Sequence, residues 1–140
     1  MRNLLLVILS VAGLSVTATA QKAKVVTAAQ VNGIYRYYDN EFRILALGHN
    51  KLKVQFEGVY HTLSKSRNLG GAMGEATIEG NIATFFPEEG QACKITMTFL
   101  PGKLMVKQDG QDFACGFGHN VNAGGIYQKI RGGKPKFEKP

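Results

Sequence analysis

The stretch NKLKVQFEG, Asn50 to Gly58, alternates with a period of two. Leu52, Val54 and Phe56 fall on one side; Lys51, Lys53, Gln55 and Glu57 fall on the other. Successive side chains of an extended chain point to opposite faces, so this is a strand with one apolar and one wetted face. CKITMTFL repeats the pattern, with Cys93, Ile95, Met97 and Phe99 opposite Lys94, Thr96 and Thr98. FRILAL, KLMVKQ, EATIE and IATFF are strand-like as well, GIYRYY opens the series and GIYQKI closes it. Turn signals separate them at Gly48-His49-Asn50, Gly80-Asn81, Glu89-Gly90 and Pro101-Gly102. Pro101 presets φ for a turn, and Gly102 accepts the positive φ that a type II turn requires next.

About eight short strands follow, with no long helix and at most one helical turn between Val26 and Val31. Strands this close in sequence form antiparallel meanders. One apolar face per strand then demands an all-β sandwich or a closed barrel. The expected fold is a single up-and-down antiparallel β-barrel, or a barrel-like sandwich, with the matching GIY ends side by side. HTLSKSRNLGGAMG, residues 61–74, reads as a flexible loop at one rim. NKLKVQFEG also resembles GKLMVKQDG at 102–110, as two hairpins with the same turn chemistry or as a duplicated half-barrel.

The chain begins MRNLLLVILSVAGLSVTATAQ, with Arg2, an apolar run from Leu4 to Leu14 and the small-x-small site Ala18-Thr19-Ala20. This is the pattern of a secretory signal peptide over 1–20, and the run is too short to span a bilayer. No cysteine follows the cleavage site, so a lipid anchor is not expected; the product belongs in a periplasm or outside the cell. The barrel is expected over 21–130 and a basic flexible tail over 131–140. Cys93 and Cys115 are the two cysteines, and in an oxidising compartment they pair. The competing use of Cys115 is a thiolate beside His119, in DFACGFGHN, which lacks a third group to orient the histidine.

The formal charge of +7 sits at the ends of the chain. Between Thr27 and Gln128 the basic and acidic side chains balance, whereas KIRGGKPKFEKP at the C-terminus is basic. A neutral fold argues against a nucleic-acid partner, which needs a basic face. The tail is suited at most to weak contact with an anionic envelope surface.

GEATIEGN, CKITMTF, KLMVKQDG and CGFGHNVNAGGIYQKI together resemble the small exported β-barrel domains of periplasmic lysozyme-inhibitor-like proteins. The resemblance implies a barrel and an envelope location, with Cys93, Cys115, Gly116, Gly125 and Tyr127 as framework positions. The membrane-bound inhibitors of that group carry a Ser-Gly-x-x-Tyr loop; Gly124-Gly125-Ile126-Tyr127 lacks the serine.

Other chemistry is thinly represented. His49, His61 and His119 are scattered rather than spaced as metal ligands, and no metal or cofactor is expected. Glu88 and Glu89 are adjacent and belong to a turn, not to an acid/base pair. NLGGAMGE lacks the Gly-Lys-Ser/Thr of a phosphate loop. The expectation is a non-catalytic module that binds another protein through its rim loops. The candidate contact residues are Lys65 and Arg67 in one loop, Phe117, His119 and Asn120 in another, and Tyr37 and Tyr38 in the first turn. Lysozyme-type inhibition is the specific alternative. Binding of a small apolar ligand inside the barrel is another, set against an interior that Phe42, Leu52, Val54, Phe56, Ile78, Ile95, Met97, Phe99, Leu104 and Val106 look sufficient to fill.

Overall fold

A computed structural model describes residues 25–88 and 91–139. The signal-peptide stretch 1–20 and the Glu89-Gly90 turn lie outside the described residues. One helical turn, α1 (Ala28–Val31), precedes eight strands: β1 (Gly33–Tyr37), β2 (Asn40–Gly48), β3 (Lys51–His61), β4 (Arg67–Glu79), β5 (Ile82–Phe85), β6 (Lys94–Leu100), β7 (Lys103–Asp109) and β8 (Gly125–Gly132). Each pairs antiparallel with the next, and β8 returns to β1, closing the barrel. The expected eight-stranded all-β barrel and the pairing of first with last strand are therefore what forms.

The period of two sets the interior. Phe42 and Ile44 of β2, Leu52, Val54 and Phe56 of β3, and Ile95, Met97 and Phe99 of β6 all point inward and are buried. Leu104, Val106 and Phe85 complete the core, while Ile78 is only partly buried against it. Two tyrosines close the two ends. The Tyr35 hydroxyl donates to the Val31 carbonyl at 2.8 Å, and the Tyr127 hydroxyl donates to the Ala123 carbonyl at 2.8 Å. Each reaches back four residues from the GIY start of its strand. Because β1 and β8 run antiparallel, the two hydroxyls lie at opposite ends. Burial pushes both hydroxyls well above the usual tyrosine range, since the ionised form has no water around it.

The ends of the barrel differ. One end carries α1 and three tight turns. In the β2–β3 turn His49 and Asn50 both have positive φ, 51° and 56°, which matches the right-handed twist of the flanking strands. Gly102 has φ 69°, as the Pro101-Gly102 signal requires. The other end carries the β1–β2 turn, the β3–β4 loop, the β5–β6 connection and the long segment between β7 and β8.

Two expectations are corrected. The segment 61–74 is not a long flexible loop: only 62–66 leave the strand, and β4 starts at Arg67, pairing with β3 from His61↔Arg67 to Lys51↔Thr77. The basic tail is not free either. Pro135 is buried, the Lys53 ammonium lies 4.4 Å from the Phe137 ring centre, and Arg43 Nη1 is 3.2 Å from Glu138 Oε1. The Gln55 side-chain amide accepts from the Glu138 N–H at 2.9 Å and donates to its carbonyl at 3.3 Å. Gln55 points outward, as its place in the alternation dictates. It is nevertheless buried, because the tail covers it and satisfies its amide.

Candidate functional site

The loop end is one cross-braced surface rather than a set of separate loops. Asn40, at the start of β2, donates to the Asn122 carbonyl at 2.9 Å and accepts from the Val59 N–H at 3.0 Å. Asn68 donates to the His119 carbonyl at 2.8 Å, and the Gly118 N–H donates to the Leu69 carbonyl at 3.0 Å. His61 Nε2 lies 2.7 Å from Asp39 Oδ2, tying the β3–β4 loop to the first turn. Within 62–66, the Thr62 hydroxyl meets those of Ser64 and Ser66 at 2.9 Å and 2.7 Å, giving this five-residue loop its own internal order.

The segment between β7 and β8 is fixed from three directions. Cys93 and Cys115 form a disulfide, with Cα atoms 4.9 Å apart and both residues buried. Cys115 ends a 3-10 turn, Phe113–Cys115, so the bridge pins that turn to the head of β6. Asp112 accepts from the N–H groups of Asn120 and Phe113. These bonds hold its carboxyl below the usual carboxylate range, with His119 adding a smaller electrostatic contribution. Finally, Phe117 and Val121 turn down into the mouth of the barrel. The Phe117 ring centre is 5.0 Å from that of Phe56. Room for them comes from a facing pair of glycines in β3 and β4, Gly58↔Gly70. A Cβ at Gly70 would stand 2.8 Å from Val121 Cγ1 and 2.9 Å from Phe117 Cβ, so no larger residue fits there without movement.

The expected site residues separate into two kinds. Lys65, Arg67, His119, Asn120 and Tyr38 are exposed on this rim. Tyr38, Lys65 and Asn120 have φ of 51°, 64° and 64°, conformations that side-chain-bearing residues adopt at some cost. Tyr37 is half-buried, its ring 4.7 Å from Tyr38 and 5.6 Å from Tyr127, and supports the first turn. Phe117 is corrected: it is 6% exposed and serves as a plug, not a contact residue. Its neighbour Phe113 is 72% exposed, and Leu63 is fully exposed; sequence reasoning overlooked both. The signal was available in part, since an apolar residue between turn residues, as in TLS and QDFA, has no strand face to occupy. Asn40, Asn68 and Asp112 were also missed, because polar residues that bind backbone far away in sequence leave no local pattern.

Cys115 offers no free thiol to His119, because the bridge uses its sulfur. His119 Nδ1 instead lies 3.5 Å from Asp112 Oδ2. His49 lies at the opposite end from His61 and His119, and among the described residues no group of three or more His, Cys, Asp or Glu gathers to hold a metal. Glu88 is described, but its neighbour Glu89 is not. Concave space among the described residues includes a trough of about 810 Å³ on the outer wall, a rim hollow of about 380 Å³ beside Asp112 and His119, and a small recess near α1.

Fold and rim together define the class: a closed eight-stranded antiparallel β-barrel whose loops are stapled and braced at one end. No family model, curated protein or solved structure matches the chain.

Proposed function

We propose that this is an exported, non-catalytic binding module whose partner is another protein of the envelope or the extracellular space, engaged by the braced rim. The observation that carries this reading is the division of labour on the rim. Polar side chains and the disulfide hold the loops in place. The large side chains Tyr38, Leu63 and Phe113 are mostly exposed to solvent, Tyr38 resting with one edge on Tyr37. A surface already ordered loses little conformational entropy on association, and exposed aromatic groups are the usual anchors of protein interfaces. The disulfide is consistent with an oxidising location, and the signal-peptide pattern agrees with it. Lys65 and Arg67 beside these anchors favour a partner with an acidic recess, and a lysozyme cleft is the specific form suggested by the sequence resemblance.

The test is capture from envelope extract with the oxidised protein, beside the triple variant Tyr38→Gly, Leu63→Ser, Phe113→Ser. All three positions are exposed, so the variant keeps its melting temperature within a few degrees. Glycine also relieves the positive φ at position 38. A partner held by the wild type and released by this variant supports the reading. Equal capture by both removes the rim as the contact surface. A turbidity assay on cell walls decides the specific form: undiminished lysis at excess protein excludes lysozyme inhibition.

A further inference from the structure

The barrel wall is unevenly paired along β4. β5 pairs only with Ala76 to Glu79, although β4 extends to Arg67. Toward the loop rim, the β4 edge facing away from β3 is engaged at Leu69, whose carbonyl accepts from Gly118. Alternate residues of a strand turn their N–H and C=O groups to the same side. Gly71, Met73 and Glu75 therefore present theirs on that edge. Among the described residues, no backbone group bonds to them there. Unpaired strand edges are templates for pairing with another chain, and natural proteins usually shorten, charge or cover them.

The trough of about 810 Å³ runs over this edge. Its floor is Gly71, Ala72, Met73 and Gly74, and Pro87 and Glu88 bound one side. The other side is continuous with the docking site of the chain's own tail: Lys53, Gln55 and Lys139 line the trough as well. There an extended segment is already held by its main chain, with the Gln55 amide bonding both the N–H and the carbonyl of Glu138. So this wall already holds main chain of the tail at one place, and among the described residues Gly71, Met73 and Glu75 of the adjacent edge have no backbone partner.

We propose that the β4 edge is a strand-addition site that takes an extended segment of a partner protein against Gly71, Met73 and Glu75. The open edge from Gly70 to Glu75 spans about 17 Å, enough for five or six residues of added strand. The chemistry of that segment follows from its surroundings. Behind the edge, Phe56 and Phe85 fill the interior, so side chains turned inward must be short and apolar. Outward side chains lie beside Glu75, the acidic residue of the edge itself, so a basic residue fits there, although Lys53 and Lys139 line the trough on its far side. The ion partner of Glu75 is Lys51, at 3.6 Å with both side chains exposed, a pair too weak to compete with an incoming charge. The segment is therefore one in which small apolar and basic residues alternate. This site lies on the wall and is independent of the rim reading.

Amide-resolved NMR on the full oxidised protein tests it, with three hexapeptides as probes: alternating lysine–valine, alternating glutamate–valine, and the lysine–valine peptide N-methylated at every second residue. The lysine–valine peptide is expected to shift and protect the amides of Gly71, Met73 and Glu75. The glutamate–valine peptide should bind about fivefold more weakly or worse, and the N-methylated one not at all. Glu75→Lys, an exposed change that leaves the fold intact, should reverse the preference between the two charged peptides. The proposal is overturned if those three amides exchange in the free protein as slowly as those of Ala76 to Glu79. It is equally overturned if N-methylation makes no difference, if the shifts fall on the rim, or if no peptide binds at its solubility limit.

Discussion

Phe113 and Phe117 stand four residues apart and are assigned opposite roles, and truncating each to alanine separates them. Phe117 is 6% exposed and packs on Phe56. Removing a buried phenylalanine typically costs about 3 to 5 kcal/mol, and the position at the mouth, where neighbours can relax and water can enter, sets the expectation at about 3 kcal/mol. With a urea slope of about 1.5 kcal/mol per molar for a domain of this size, the Phe117→Ala midpoint should fall by about 2 M. Phe113 is 72% exposed, so Phe113→Ala should cost less than about 0.5 kcal/mol and leave the midpoint nearly unchanged. Equilibrium urea denaturation followed by far-ultraviolet circular dichroism reads both, with the disulfide kept intact. A shift for Phe117→Ala no larger than that for Phe113→Ala would refute the plug, and with it the argument that Gly58 and Gly70 exist to admit it.

Three further outcomes are expected. Replacing Cys93 and Cys115 by alanine should lower stability by about 3 kcal/mol, the chain-entropy value for their sequence separation of 22, read as a lower denaturation midpoint. Asp112 has a depressed folded pKa, so its contribution to loop order is complete above the ordinary carboxylate value and is lost as pH falls through the depressed one; backbone NMR of 112–120 across acid pH, beside Asp112→Asn, should show the loop loosening only in that acid window. Tyr35 and Tyr127 are raised, so their contribution is constant below the ordinary tyrosine value and lost as pH rises above it; absorbance titration should show two of the five tyrosines ionising only as the barrel unfolds, and two that ionise reversibly in folded protein would contradict their burial.

The wall of the barrel was legible because its information is local. Alternation in NKLKVQFEG and CKITMTFL assigns inward faces residue by residue, and the turn residues bound the strands. The first half of β4 was not legible, and for a reason found elsewhere in the chain. Gly70 is small because Val121 and Phe117 occupy the space a side chain would take, and Gly74 would bring a Cβ to 3.2 Å from Phe85. Glycines selected for packing in three dimensions look like a flexible loop in one. The same holds for the tail. KPKFEKP has the composition of a solvated end, and its order depends on Gln55 and Arg43 more than 80 positions away. For the site, exposed basic residues were found by elimination, whereas Phe117 was misassigned because a loop phenylalanine gives no sign of whether it turns toward solvent or toward the core.

The central claim is that the rim is one ordered surface before any partner arrives, and amide hydrogen exchange in the free oxidised protein tests it most directly. The N–H groups of Gly118, Asn120 and Ala123, bonded to Leu69, Asp112 and Gln108, should exchange far more slowly than the solvent-facing amides of the same segment. Uniformly fast exchange from Gln111 to Gly124 would mean that the loops are not held, and that no prepared binding face exists at that end of the barrel.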